Sequence, residues 1–426
     1  MILFDGKIFS DDRLDFILNQ LPEHCIHTLE NQISLYQKVI HACSILSEQI
    51  QKGLFDLIIQ PLLDRGTFTK HQLQQAVSFF QREHIETKYQ IELGCLTEHL
   101  APIILPSGIT MQRSYVPLGV LLHIAAGNAE GLPFYSVIEG LLAGNINILK
   151  LPSMDDGLSI LLLQKLIQIE PCLAPYIAVF DISSTHTTIL KKLENISDAI
   201  VVWGGDEAVR AARTLASPST QIISWGHKLS FAYLTLDAKE EELRGLAAHI
   251  CETNQLLCSS CQGIFVDTDK KDVIQSIGHS FLKLLEEESI TYPPLSIGIR
   301  GKTSISLYNE ELESEDSHRE ILRGKGASII LSYDSEPELS YMFRNCWIKP
   351  LPRKNIVKML KPSKGYLQTV GLLCLEKDRL ALSKELIKAG VVRVTYGSDM
   401  SRTIPGEAHD GEYALRRYSK LVEVEI

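Results

Sequence analysis

The chain has 426 residues, too many for one ordinary hydrophobic core, so two domains with smaller additions are expected. With 45% apolar and 22% charged residues it is globular rather than disordered, and its net charge of −10 argues against a nucleic-acid surface. No apolar run approaches the roughly 18–20 residues of a membrane span, and Met1-Ile2-Leu3-Phe4-Asp5 lacks a basic signal region. The nine cysteines, an odd number, read as reduced thiols of a cytoplasmic protein.

Residues 1–100 read as mostly helical and polar, with no chemical motif. Leu73, Ala76, Val77 and Phe80 fall at helical spacing, with Gln74, Gln75, Ser78 and Gln81 on the other face. From about 104 the period changes. Tyr115–Ile124 is an apolar, strand-like run, Leu132–Leu142 a helix and Ile146–Leu149 a buried strand. A helix over 156–168, strand Ile177–Phe180, helix Thr187–Leu193, strand Ala199–Trp203, helix Glu207–Leu215 and strand Gln221–Ser224 follow. Strands alternating with helices make parallel β-α-β units and a doubly wound sheet.

A second unit is expected from near Ala238. Leu243, Leu246, Ala247, Ile250 and Cys251 form one helix face, followed by strand Gly263–Val266 and a helix over 270–287. Ile329–Leu331 and Leu372–Leu375 read as strands and 377–389 as a helix. The last segment, Leu421–Ile426, alternates apolar and acidic residues. It is expected to pair with a sheet edge of a neighbouring subunit, making the protein at least a dimer.

The stretch Asn254-Gln255-Leu256-Leu257-Cys258-Ser259-Ser260-Cys261-Gln262 places a thiol between a helix and a strand. Cys258 is a candidate nucleophile because polar Ser259 and Ser260 follow it and it closes a helix rather than lining its apolar face. The bland reading is a small core residue. A Cys-x-x-Cys metal or redox site has no second Cys-x-x-Cys and no nearby His pair to complete it. Gly127-Asn128 follows a strand end, where an Asn amide can donate to an oxyanion or simply occupy a turn. Lys150 also ends a strand, in reach of a nucleotide or merely as a strand-end lysine. Gly204-Gly205 precedes a helix opening at Asp206, a weak phosphate-approach turn.

Pro117-Leu118-Gly119-Val120, Asn128, Ala143-Gly144-Asn145, Lys150-Leu151-Pro152-Ser153, Gly204-Gly205 and Cys258 together resemble the aldehyde dehydrogenase superfamily. Trp203-Gly204-Gly205, Gly226-His227-Lys228-Leu229-Ser230, Asn254–Gln262 and His409-Asp410-Gly411 resemble its LuxC-type acyl-CoA reductases. The resemblance covers about residues 100–426. It implies an α/β fold with a Rossmann-type cofactor domain, an α/β catalytic domain and a small oligomerisation element. The implied division is 1–103 as the helical part of the cofactor domain, 104–116 as an oligomerisation arm and 117–236 as the dinucleotide-binding domain. Residues 237–404 form the catalytic domain, and 405–426 return to the cofactor domain and an oligomer interface.

The implied activity is reduction of a fatty acyl-CoA to an aldehyde through an acyl group on Cys258, with Asn128 as oxyanion donor. Ser224 stands where aldehyde-oxidising relatives carry a general-base glutamate, so no base is present to hydrolyse the acyl-enzyme. Ser153 replaces the glutamate that binds ribose hydroxyls in NAD-preferring relatives. With Lys150 nearby, NADPH is expected over NADH. Lys150, Ser153, Gly204, Gly205 and Ser224 make up the implied cofactor site. His409 is either a proton relay to the collapsing thiohemiacetal or a structural cap. Two alternatives stand beside acyl-CoA reduction: an acyl group delivered by a carrier protein, acyl-protein synthetase or acyl phosphate, and a catalytically silent scaffold. A homodimer or homotetramer is implied, with no metal and no nucleic-acid partner.

Overall fold

The structure, a computed structural model, describes residues 1–64, 70–94, 102–104, 106–125, 131–152, 157–313 and 319–426. The chain forms two compact units, residues 1–226 with 404–426, and residues 227–403.

The first unit opens with β1 (Ile2–Phe4) and β2 (Lys7–Phe9), followed by helices α1 (Leu14–Glu30), α2 (Tyr36–Gln51), α3 (Asp56–Asp64), α4 (Lys70–Ser78) and α5 (Arg82–Glu92). The opening strand pair was not anticipated. Ile2, Leu3 and Phe4 are all buried, because β1 adds antiparallel to the inner sheet beside β7. Next come β3 (Pro102–Ile104), β4 (Thr110–Pro117), β5 (Val120–Ile124), α6 (Leu132–Leu142), β6 (Ile146–Lys150) and α7 (Leu158–Ile169). They are followed by β7 (Ile177–Phe180), α8 (Thr187–Glu194), β8 (Ala199–Trp203), α9 (Asp206–Leu215) and β9 (Gln221–Trp225). The sheet order is β2-β1-β7-β6-β5-β8-β9, with β7, β6, β5, β8 and β9 parallel. The order of connection reverses between β5 and β8. Strands β6, β7 and β8 are buried along their whole length, as a sheet covered on both faces requires.

The apolar run 115–124 is two strands, not one. Gly119 breaks it, with φ +135°, and a Cβ there would lie 2.1 Å from Asp198 Oδ2. That carboxylate accepts the Val120 N–H at 2.8 Å, while Asn145 Oδ1 accepts the Gly119 N–H at 3.0 Å. The break lets β4 leave the main sheet.

The second unit contains β10 (Leu229–Leu234), α10 (Glu240–Thr253), β11 (Cys261–Val266), α11 (Lys271–Ser289), α12 (Ile297–Glu313), β12 (Arg319–Arg323) and β13 (Ser328–Ser332). It continues with β14 (Asn345–Pro350), α13 (Ile356–Leu360), β15 (Leu367–Leu373), α14 (Glu376–Ala389) and β16 (Arg393–Tyr396). Its order is β12-β13-β14-β11-β10-β15-β16, parallel apart from β12. Two apolar clusters cover the faces of this sheet, one around Phe281 and Leu331, the other around Phe231 and Trp347. Because β10 belongs to this sheet, the chain changes unit at Gly226, ahead of the boundary expected at 236.

The chain ends with α15 (Ala414–Arg417) and β17 (Ser419–Glu425). The expectation looked to a neighbouring subunit for the partner of β17; within the chain one edge of it already has one. Every residue of β17 pairs antiparallel with β4 of the same chain, from Ser419 opposite Pro117 to Glu425 opposite Met111. Arg113 Nε and Glu423 Oε1 close an ion pair across the two strands at 2.6 Å. Since β3 takes the other edge of β4, the result is a three-stranded sheet.

Candidate active site

Cys258 lies in the turn between α10 and β11, at the edge of the second sheet where its parallel strands begin. Helix α10 is capped by Asn254, whose φ of +46° is left-handed, and Gln255 follows at +63°. Such a conformation costs a non-glycine residue of order 1 kcal/mol or more. Here buried hydrogen bonds hold it. Gln255 Nε2 donates to the carbonyls of Cys261 at 3.0 Å and Asn345 at 3.1 Å and to Ser340 Oγ at 3.1 Å, and Oε1 accepts the Asn345 N–H at 3.1 Å. Gln262 returns the tie by donating to the Gln255 carbonyl at 3.1 Å and accepting from Ser340 Oγ at 2.8 Å. The facing residues Met342, Phe343 and Arg344 are left-handed too, and Phe343 N–H donates to the Asn254 carbonyl at 2.9 Å. The turn is thus over-determined from two sides.

Within it the Cys258 side chain is exposed. Gln368, near the start of β15, donates Nε2–H to Cys258 Sγ at 3.3 Å. Ser230 of β10 donates to the Cys258 carbonyl at 2.7 Å and accepts the Thr369 N–H at 3.1 Å. Ser259 Oγ meets Ser401 Oγ at 2.9 Å. Cys261 is the opposite kind of thiol. It is fully buried in β11, and burial pushes it up to about 12. Its N–H donates to Nε2 of buried His249 at 3.4 Å. No group of residues able to hold a metal occurs among the described residues.

The other expected site residues with described positions all lie in the first unit. Lys150 ends β6 and is buried, and desolvation lowers its pKa against the opposing field of Asp181. Gly204, Gly205, Ser224 and His409 gather where β8 and β9 end. Gly204 N–H donates to the Trp225 carbonyl at 3.2 Å, and the Ser224 carbonyl accepts from Arg417 at 3.1 Å. The His409 ring lies 5.3 Å from that of Trp203 and 5.2 Å from that of Trp225, with Nε2 3.8 Å from Asp410 Oδ2. Asn128 and Ser153 lie outside the described residues. Gln368, Gln255, Gln262, Ser340, Asn345 and His249 were given no role from sequence. The available signal was a buried polar pair, Gln368-Thr369, at the head of an apolar strand.

The family model for acyl-CoA reductase (LuxC) matches residues 46–421. The chain belongs to the LuxC acyl-CoA reductase family. It is therefore an oxidoreductase acting on activated acyl groups. Two long-chain acyl-protein thioester reductases are similar over about two thirds of their own length. That of Vibrio harveyi is 25% identical over 343 residues, 78% of this chain and 69% of the relative, and that of Aliivibrio fischeri is 25% identical over 349 residues with the same shares. The fold is that of aldehyde dehydrogenases. A 3,6-anhydro-L-galactose dehydrogenase superposes with a TM-score of 0.73 at 11% identity, covering 100% of this chain and 99% of that one. An NAD-dependent benzaldehyde dehydrogenase from Corynebacterium glutamicum gives 0.68 at 13%, covering 99% and 91%.

Family and fold imply a nicotinamide cofactor, and the first unit of this LuxC-family chain has residues that fit one. Lys150 ends β6 and Gly204 follows β8, the strands on either side of β5, next to the reversal between β5 and β8, where open α/β sheets bind nucleotides. A Cβ on Gly205 would meet nothing within 4 Å, so backbone is open there to close approach. The first turn of α9 carries Asp206 and Glu207, which oppose a phosphate at that helix end. The buried ammonium of Lys150 is the better anchor.

Proposed function

We propose that the chain reduces a long-chain acyl thioester presented on a protein to the aldehyde, through an acyl group held on Cys258. The observation that carries this reading is the exposed Cys258 Sγ under the Gln368 amide at 3.3 Å, in a turn fixed on both sides. The acyl-protein donor is favoured over free acyl-CoA by the names of the relatives.

The Cys258 thiolate attacks the thioester carbonyl, splitting one hard step into two. Asn128 and the Cys258 backbone N–H stabilise the oxyanion, a donor of this kind being worth about 3–4 kcal/mol. Collapse expels the donor thiol and leaves the acyl group on Cys258. Lys150, Ser153, Gly204, Gly205 and Ser224 would hold the nicotinamide cofactor, whose chemistry would be donation of a hydride to the acyl group on Cys258. The resulting thiohemiacetal breaks at its C–S bond, giving aldehyde and thiolate, and the Gln368 N–H receives the sulfur charge again. His409 would relay the proton. With serine at 224, no carboxylate activates water to divert the acyl-enzyme to acid. Lys150 and neutral Ser153 favour NADPH.

The test is intact mass and peptide mapping after incubation with myristoyl donors without cofactor, followed by NADPH oxidation. Acylation should map to Cys258. Cys258→Ala should lose acylation and turnover entirely, whereas Cys261→Ala should keep most of both. Turnover by Cys258→Ala would sink the mechanism.

A further inference from the structure

The chain carries 52 acidic residues, yet none lies between Glu338 and Glu376. Inside that gap the crossover from β14 to β15 presents Arg353, Lys354, Lys358, Lys361 and Lys364. Residues 353–363 form one short helical run, α13 flanked by 3₁₀ turns. Ile356 and Leu360, four residues apart, are buried and hold the run against the sheet. Lys354, Lys358 and Lys361 follow helical spacing on the opposite side, and all three are exposed, as is Lys364.

Arg353 is committed to Asp267 at 2.6 Å and Asp378 at 3.5 Å. The nearby Glu385 is committed to Lys388 at 2.6 Å. Among the described residues Lys354, Lys358, Lys361 and Lys364 have no carboxylate partner. Lys361 donates only to the Lys388 carbonyl, at 2.8 Å. A stripe of unpaired cations on a chain of net charge −10 is a local inversion of the protein's field.

The stripe also leads to the thiol. After Lys364 the chain turns at Gly365, whose carbonyl accepts from Lys228 Nζ at 2.8 Å, and enters β15. Four residues beyond Lys364 is Gln368, the donor to Cys258 Sγ. At the strand rise of about 3.3 Å per residue, Lys364 lies within roughly 13 Å of Gln368.

We propose that Lys354, Lys358, Lys361 and Lys364 form a docking surface for an acidic face of the protein that carries the acyl group to Cys258. The inference rests on the acyl-protein reading above. Paired charges across such a surface set encounter rate and orientation, and they weaken with salt. A neutral small thioester needs no such guidance.

The experiment compares the full chain with Lys358→Glu/Lys364→Glu, using three probes: a myristoyl-loaded acyl carrier protein as an acidic acyl-protein, myristoyl-CoA, and the neutral thioester myristoyl-N-acetylcysteamine. At low salt the double variant should lose roughly tenfold or more in kcat/KM with the carrier protein. It should keep the wild-type rate with the neutral thioester, and Lys358→Arg/Lys364→Arg should keep both. Wild-type turnover of the carrier protein should fall with salt. Equal rates of wild type and double variant on the carrier protein would overturn the proposal. So would a parallel loss on all three probes, a loss confined to myristoyl-CoA, or wild-type reduction of the neutral thioester without any turnover of the carrier protein. Failure of the functional reading is a separate result: no probe would acylate Cys258 even in the wild type.

Discussion

In the first unit the candidate residues follow their strands: Lys150 ends β6, and Gly204 and Gly205 come directly after β8. In the second unit the thiol precedes its strand, with Cys258 three residues before β11 and its partners at the beginnings of β10 and β15. The two edges differ in chemistry. Past the carboxyl ends of parallel strands, helices begin and leave free N–H groups and the positive pole of their dipoles. At the amino edge helices end, and α10 finishes just ahead of Cys258 with its carbonyls and negative pole. An anionic sulfur there draws nothing from the helix, so side chains must support it. The edge therefore explains why a glutamine from a distant strand sits on the Cys258 thiol.

Breaking that support should have the larger effect. A hydrogen bond to a charged group is worth roughly 1.5–3 kcal/mol, so Gln368→Leu should slow acylation of Cys258 about 10- to 100-fold. Cofactor binding should not change. Alkylation of Cys258 by iodoacetamide should slow in parallel. Wild-type alkylation at neutral pH in a folded Gln368→Leu would assign the support to backbone instead.

The counterpart in the first unit should behave inversely. Lys150→Ala should raise the cofactor KM by roughly tenfold, more for NADPH than for NADH, since a point charge on a phosphate is lost. Single-turnover acylation of Cys258 without cofactor should be untouched. Slowed acylation in Lys150→Ala would show that the two roles are not separable.

The two units were also unequally legible. In the first, Leu132–Leu142, Ile177–Phe180 and Ala199–Trp203 match their predicted bounds residue for residue, because buried parallel strands read as short apolar runs between helical periods. Its misses have local causes: Gly119 splits a run whose hydropathy is continuous, and β1 is too short to show a period. In the second unit Cys258 was singled out by its polar neighbours and its family resemblance, but its surroundings were not. Gln368 is 110 residues away and Ser230 is 28 away. Their meeting depends on β10 lying next to both β11 and β15, a neighbourhood set by crossovers and not by local pattern. The pairing of β17 with β4 was missed for the same reason.

A smaller effect tests whether the units share one weakness in acid. Each holds a fully buried histidine. His123 Nε2 donates to Asn147 Oδ1 at 3.0 Å, leaving Nδ1 to accept from Ser136 Oγ at 2.7 Å, and His249 Nε2 accepts the Cys261 N–H. In both, burial lowers the pKa to about 4, with nearby Arg393 adding to the effect at His249. Protonation would put a charge in the core and abolish an accepting nitrogen. The ordinary histidine pKa is about 6.5. Between there and about 4 the unfolded chain binds protons that the native one refuses, so stability is full above pH 6.5 and falls as pH drops. The slope approaches about 1.4 kcal/mol per pH unit for each histidine. Urea unfolding from pH 7.5 down to 4.5 should show it. With Trp347→Phe the remaining indoles, Trp203 and Trp225, report the first unit alone, and there His123→Gln should flatten the pH dependence while His249→Gln leaves it in place. If His249→Gln flattens that signal equally, the two units unfold as one in acid, and the separation of their chemistry does not extend to their stability.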